Sequence, residues 1–285
     1  MTTLDALRRE AIDALAAAGV PGPEVDADLL IGHVLGLSRG AVQARAVVRA
    51  EVSADDEAAV RAAIARRATR EPVQHITGLA PFRSLELAVG PGVFVPRPET
   101  EFVVQFAIDA LALVPSAEPL AVDLGSGSGA IALAMATEVP HARVVAVERS
   151  ADALPWTARN IERLGDGRVR LVEGDLADAL PELDGRVDVV ASNPPYIPLA
   201  AVPRDPEVRL YDPPAALYSG EDGLDAVRAL SRTARRLLRE GGTLVIEHGE
   251  LQAAANAAIL RADGFTAIAC HRDLLGRDRA TTARR

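Results

Sequence analysis

Asn193-Pro194-Pro195-Tyr196 is the stretch of this sequence best equipped to handle a planar polar group. Neither proline has an N–H, so the backbone here offers carbonyl acceptors with few donors, and Pro195 biases Pro194 toward an extended conformation. Asn193 adds a side-chain carbonyl acceptor, and Tyr196 adds a flat face and a hydroxyl. Such a set suits a planar group bearing an NH₂. Asn193, Pro194 and Tyr196 are therefore the candidate catalytic residues, with Pro195 completing the candidate substrate contacts. The plainer reading of the same four residues is a proline-rich turn after a strand.

A second group lies upstream. Gly125-Ser126-Gly127-Ser128-Gly129 comes after the apolar run from Leu120 to Leu124 and precedes a helical pattern. Glycines between a strand and a helix permit a sharp turn and a close approach of backbone amides to a ligand. The pattern is G-x-G-x-G rather than the full G-x-G-x-x-G, so by itself it says little. The next strand ends in Glu148, nineteen residues after Gly129, where a carboxylate can accept both hydroxyls of a ribose. Asp175, after the third strand, either accepts from an adenine amino group or caps the next helix. The chain has no lysine, which disfavours a phosphate site of the Walker type and with it ATP. Strand-end acids, a short glycine turn and Asn-Pro-Pro-Tyr fit S-adenosylmethionine better than NAD, because that cofactor has no pyrophosphate. Asn193 borders both groups and is counted among the cofactor contacts as well.

The elements that must hold these residues alternate. Strands are expected at 120–124, 143–147, 169–172, 187–191 and 244–247, and helices at 130–137, 152–164, 221–238 and 251–262. Residues 266–270 and 279–283 read as a final antiparallel pair. This alternation predicts a doubly wound α/β sheet with helices on both faces. In such sheets ligands bind beyond the carboxyl ends of the strands. Before it, apolar positions at helical spacing over 4–17 and 24–37, and Ser53 as an N-cap for a helix to about Ala68, predict a small helical domain over 1–72. Its charges are either a solvated face or a docking surface. Residues 73–95 read as a β-hairpin connector, and 96–285 as the α/β domain. The stiff Pro96-Arg97-Pro98 loop is either a lid or a linker.

Composition narrows the functions. The 285 residues carry a net charge of −9, which disfavours a general nucleic-acid binder. The single Cys270 forms no internal disulfide, and no Cys/His cluster has metal-ligand spacing, so no metal is expected. The opening Met1-Thr2-Thr3-Leu4-Asp5 has neither a basic n-region nor an apolar h-region, and no apolar run reaches membrane-span length. A cytoplasmic protein without membrane contact is expected.

Asp123-Leu124-Gly125-Ser126-Gly127-Ser128-Gly129 together with Asn193-Pro194-Pro195-Tyr196 resembles the class I (Rossmann-like) S-adenosylmethionine-dependent methyltransferases that act on amide or exocyclic nitrogens. Glu71-Pro72, Ile76-Thr77-Gly78, Pro96-Arg97-Pro98-Glu99-Thr100-Glu101, Gly220-Glu221-Asp222-Gly223-Leu224 and Asp273-Leu274-Leu275-Gly276-Arg277-Asp278-Arg279 are more specific. They are similar to the release-factor glutamine N5-methyltransferases. The resemblance covers nearly the whole chain. It implies methyl transfer to the glutamine of a Gly-Gly-Gln tip in peptide chain release factors, with the front domain docking the substrate protein. Glu148 stands where that family often has Asp, and Tyr211-Asp212-Pro213 where Glu-Pro is expected. Leu176 stands where relatives carry an aromatic, which implies aliphatic packing on the adenine. Two other functions stay open: N-methylation of a nucleic-acid base, and a non-enzymatic cofactor-binding protein. For the first reading, the Asn193 side-chain oxygen and the Pro194 carbonyl accept the two amide hydrogens while Tyr196 packs on the amide plane.

Overall fold

The computed structural model describes residues 2–285, which form two compact units. The first runs to Leu79 and adds the later segment Pro203–Tyr211; the second takes Ala80–Val202 and Asp212–Arg285.

The first unit is helical. It contains α1 (Leu4–Ala17), α2 (Pro23–Leu35), α3 (Arg39–Val47), α4 (Ala54–Ala68) and the short α5 (Val73–Thr77), with β1 (Thr2–Thr3) paired antiparallel to β2 (Glu51–Val52). Helical spacing brings Leu4, Leu7, Ala11 and Leu15 of α1 into one core with Leu30, Ile31, Val42, Val60 and Ile64. Ser53 caps α4 as the sequence indicates, accepting from Asp56 N at 3.1 Å. Two elements depart from expectation. No helix was expected between residue 37 and Ser53, yet Ser38 caps α3, and Val42 and Ala46 bury its inner face. Val73–Thr77 is a helix rather than the start of the hairpin, closed by Gly78 at a φ of 75°.

The added segment contains a helix, Pro206–Tyr211, that sequence periodicity did not reveal. Its Glu207 receives two bonds from Arg70, at 2.8 and 2.7 Å, and one from Arg67 at 2.9 Å. The buried Arg67 also donates to Asp26 at 2.7 Å. Charge pairs this distant in sequence leave no local pattern to read.

In the second unit a hairpin, β3 (Leu79–Phe82) and β4 (Leu85–Ala88), is followed by α6 (Pro98–Ala112). The hairpin is held by Asn160, whose side chain exchanges two hydrogen bonds with Ala88, at 2.7 and 2.9 Å. Then come β5 (Leu120–Leu124), α7 (Ala130–Glu138), β6 (Arg143–Glu148), α8 (Leu154–Leu164), β7 (Val169–Glu173), β8 (Val187–Ser192), β9 (Leu238–Glu247), β10 (Thr266–Arg272) and β11 (Asp278–Arg284). The strands make one seven-stranded sheet in the order β10-β11-β9-β8-β5-β6-β7. β9, β8, β5, β6 and β7 are parallel; β10 and β11 form the antiparallel pair expected from the sequence, and β11 also runs antiparallel to β9.

Strand alternation builds two cores. Ala121, Val144, Val189 and Val245 pack with Val103, Val104 and Ala107 of α6 and with α7. Val122, Val145, Val190, Leu244 and Ile246 pack with Leu230, Ala234 and Leu237 of the helix Asp225–Leu237, and with Leu260 of the helix Ala253–Ala262. The first of these helices starts at Asp225 rather than Glu221, because Gly220 and Gly223 adopt φ of 74° and 78°, which end the preceding turn. From β5 the chain winds to β6 and β7 on one side, then crosses to β8 and β9 on the other. The switch point therefore lies between β5 and β8, where such sheets bind ligands. No described helix is long and apolar enough to cross a membrane.

Candidate active site

The glycine turn and Asn-Pro-Pro-Tyr leave adjacent strands at that switch point. β5 and β8 pair through Asp123 and Ala191, and the Ser192 hydroxyl donates to Leu124 O at 2.5 Å. Gly125, Gly127 and Gly129 all have positive φ, at 80°, 54° and 84°, so the turn requires residues without a Cβ penalty. Its carbonyls are anchored from α8: Thr157 donates to Gly127 O at 2.5 Å and Asn160 to Ser128 O at 2.9 Å. Ser126 and Ser128 are buried within the turn, and the Ser126 hydroxyl has no partner.

Glu148 closes the turn from β6. One carboxylate oxygen accepts from Gly127 N at 2.7 Å, the other from Arg149 N and Ser150 N at 2.9 and 2.7 Å. An ionised carboxylate has about four acceptor sites, so three are engaged by the protein itself. Asp175 is fixed as a turn cap. It accepts from Ala177 N at 2.9 Å and pairs with Arg149, also at 2.9 Å. The amide bond and then the arginine lower its pKa, against the upward effect of burial. Leu176 lies over the turn, its Cδ2 4.0 Å from where a Cβ on Gly125 would stand.

The Asn193 side chain is oriented from behind. Its Nδ2 donates to the hydroxyl of the buried Thr100 at 3.2 Å. Glu247, 2% exposed at the end of β9, is within hydrogen-bonding reach of both Thr100 and Asn193. Among the described residues no donor reaches Asn193 Oδ1. Burial pushes Glu247 up to about 7, against the lowering effects of Thr100, Arg279 and Asn193. Pro194 is buried, and Pro195 and Tyr196 are half-buried. Burial also raises the pKa of the Tyr196 phenol, so it stays a neutral hydroxyl. The Tyr196 carbonyl accepts from Gln252 Nε2 at 2.9 Å, and Gly223 packs so closely that a Cβ there would stand 2.4 Å from the same oxygen.

Thr100, Glu247 and Gln252 were not singled out from the sequence. Each is an ordinary residue locally, and only the sheet order brings it to Asn193 or Tyr196. The Pro96–Glu101 stretch enters α6 at Pro98 and is pinned by ion pairs. Arg97 pairs with the buried Asp212 at 2.5 Å and lies 4.9 Å over the Phe94 ring. Glu99 pairs with Arg277 at 2.9 Å, and Arg277 with Asp273 at 2.8 Å. The specific-looking loops thus hold one another and present Thr100. Asp212, left in doubt by the sequence, is a buried ion-pair partner. His248 is buried, with its Nε2 2.9 Å from the Thr281 hydroxyl of β11.

Among the described residues no cluster of three or more His, Cys, Asp or Glu is arranged to hold a metal ion. A surface cavity of about 330 Å³ opens between Leu120, Arg143, Arg168 and Arg170. It lies at the amino ends of β5 and β6, the opposite end of the sheet from these residues, and shares none of them.

Two family models match the chain: PrmC N-terminal domain over residues 6–78 and Methyltransferase domain over residues 119–278. A release factor glutamine methyltransferase of Streptomyces coelicolor is 52% identical over 97% of this chain and 96% of its own length. A 4-amino-L-phenylalanine/4-methylamino-L-phenylalanine methyltransferase of Streptomyces pristinaespiralis is 47% identical, over 70% of this chain and 69% of its own. Among solved structures, the hMettl16 catalytic domain in complex with the MAT2A 3'UTR hairpin 6 shares the fold alone. Its TM-score is 0.52 and its identity 15%, over 69% of this chain and 74% of that one. The fold is that of the class I methyltransferases, and with both domains matched and half the residues identical across the full length of a relative, the chain belongs to the release factor glutamine methyltransferase family.

Proposed function

We propose that this protein transfers a methyl group from S-adenosylmethionine to the side-chain amide nitrogen (N5) of the glutamine in the Gly-Gly-Gln motif of peptide chain release factors. The observation that carries this reading is Asn193: its NH₂ is tied to Thr100, and among the described residues no donor reaches its oxygen, which leaves it as an acceptor.

The cofactor residues fit a nucleoside with an amino-acid tail. Gly125–Gly129 is a positive-φ cradle with an unpartnered buried hydroxyl on Ser126, and Leu176 supplies an apolar face over it. Glu148 would take the ribose hydroxyls. Holding both requires Gly127 N to exchange the carboxylate for another acceptor, since three of its sites are already engaged. Asp175 would accept from the adenine amino group with the oxygen that now meets the exposed Arg149. When bound, the cofactor supplies an electrophilic methyl on a positively charged sulfur.

A glutamine nitrogen is a poor nucleophile because its lone pair is conjugated into the carbonyl. Asn193 Oδ1 and Pro194 O accept its two hydrogens, which fixes the nitrogen and favours positive charge on it as the new bond forms. The Tyr196 ring packs on the amide plane. Alignment of this kind can contribute on the order of 7–11 kcal/mol to lowering the barrier. No strong base is needed, because the N-methylated amide sheds its proton to water.

The front helical domain, residues 1–72 as delimited from the sequence, docks the release factor. The full-length match to a release factor enzyme supports this over a free aromatic amine, whose enzyme matches over only 70% of this chain. The net charge of −9 counts against a nucleic-acid substrate. An assay with methyl-labelled cofactor tests the choice. A purified release factor, tRNA, duplex DNA and 4-amino-L-phenylalanine are offered separately. Label on the release factor alone is expected; label on nucleic acid or the free amine instead overturns the reading.

A further inference from the structure

We propose that Glu247 is a positioning residue for this reaction: from the end of β9 its buried carboxylate holds the Asn193 NH₂ and the Thr100 hydroxyl, and so aims the Asn193 oxygen at the substrate nitrogen. The inference rests on the amide-methylation reading above.

An asparagine amide has nearly the same shape after a 180° flip, and only its hydrogen-bond partners decide which end faces a substrate. Thr100 alone does not decide it, because a hydroxyl donates or accepts equally well. A carboxylate does. It can only accept, so it claims the Thr100 proton and turns Thr100 Oγ1 into an acceptor for Asn193 Nδ2, the 3.2 Å bond observed. The reversed amide would point its oxygen at a negative charge. Glu247 is 2% exposed, and its Oε2 has no partner, so solvent does not blunt the effect. The charge also acts through the amide. An N–H donated to an anion makes the amide oxygen more negative, hence a stronger acceptor for hydrogens on a nitrogen turning positive.

The groups around Glu247 come from four elements. Glu99 and Thr100 belong to α6, Tyr196 and Asn193 to the loop after β8, Arg279 to β11, and His248 is the next residue in the chain. Glu99 disfavours the ionised form and Arg279 favours it, and burial outweighs both, which places the titration near pH 7. The neutral acid gains a proton to donate and no longer dictates the amide's orientation. Methyl transfer should therefore weaken as pH falls through that value.

The test compares the full-length protein with Glu247→Gln and Glu247→Ala, using a release factor as substrate. Cofactor affinity and thermal melting are measured alongside kcat, KM and their pH profiles. Glu247→Gln should lower kcat at pH 8 by about 10-fold and Glu247→Ala by about 100-fold, with cofactor Kd changed less than about twofold, as expected of a residue outside the cofactor site. The wild-type acidic limb near pH 7 should be absent in Glu247→Gln. Wild-type kcat and an unchanged acidic limb in that variant overturn the inference. If neither variant folds, the wild-type profile decides: a kcat independent of pH between about 6 and 8 overturns it too. A wild-type protein that methylates no glutamine overturns the amide-methylation reading itself, and that result is distinct from an active wild type with an unimpaired variant.

Discussion

Asn193 Nδ2 donates to Thr100 Oγ1 at 3.2 Å across 93 positions of sequence. One residue leaves β8 at the centre of the sheet; the other sits in the first turn of α6. The bond makes the opening of α6 part of the site, and it gives the two residues different expected weights. Asn193→Ala removes an acceptor aimed at the developing charge, so kcat should fall by roughly 100- to 1,000-fold. Thr100→Val removes only a support and should lower kcat about 10-fold. Thr100→Val should leave cofactor affinity, measured by calorimetry, unchanged.

Glu148 is expected to act on cofactor binding and not on the bound substrate. Glu148→Ala deletes the acceptor for the ribose and also orphans Gly127 N, so cofactor Kd should rise roughly 10- to 100-fold. KM for the release factor, measured at saturating cofactor, should stay near wild type. Glu148→Asp keeps the carboxylate and should lose far less.

Asp123 carries the clearest pH dependence of stability. It is fully buried, and burial, opposed by the Ala132 amide and reinforced by Glu148, pushes it up to about 8 from an ordinary 3.8. Between those values the native protein keeps a proton that the unfolded chain has released. Its contribution therefore declines as pH rises from about 4 to about 8, then levels off. Asn is the shape of the protonated acid and has no proton to lose. Asp123→Asn should match wild type near pH 4 and become progressively more stable than wild type up to pH 8, in denaturant melts at a series of pH values. A wild-type curve whose slope the substitution leaves unchanged would contradict this.

Gly223 tests how tightly the loop after β8 is held. A Cβ there would stand 2.4 Å from Tyr196 O and 3.0 Å from Pro198 N, at a φ of 78°. The obstacle is backbone, so no side chain can move aside. Gly223→Ala should destabilise by about 1–3 kcal/mol and lower kcat through the displaced Tyr196. Calorimetric melting and kcat together check it, and a variant with unchanged Tm and kcat would show the loop to be pliant.

The doubly wound sheet was legible because β8 and its neighbours are short, β-branched and separated by helical periods, and because Gly125–Gly129 and Pro194-Pro195 punctuate the strand ends. These same features brought Glu148, Asp175 and Asn193 to the strand ends from sequence alone. Thr100, Glu247 and Gln252 stayed hidden because their importance depends on strand order. β9 must lie beside β8 before Glu247 can stand behind Asn193. The assignment of Pro203–Tyr211 to the helical unit was hidden for a similar reason, since Arg67 and Arg70 meet Glu207 at sequence separations of 140 and 137. The helix start at Asp225 was misjudged because the glycines before it act through positive φ, while the surrounding residues keep a helical apolar spacing.

The most direct test of glutamine methylation is mass spectrometry of a purified release factor after incubation with this protein and S-adenosylmethionine. The expected result is a gain of one methyl group, localised by fragmentation to the side-chain nitrogen of the glutamine in Gly-Gly-Gln, formed roughly 100- to 1,000-fold more slowly with Asn193→Ala. A correctly folded release factor left unmodified, or modified at another residue, would contradict it.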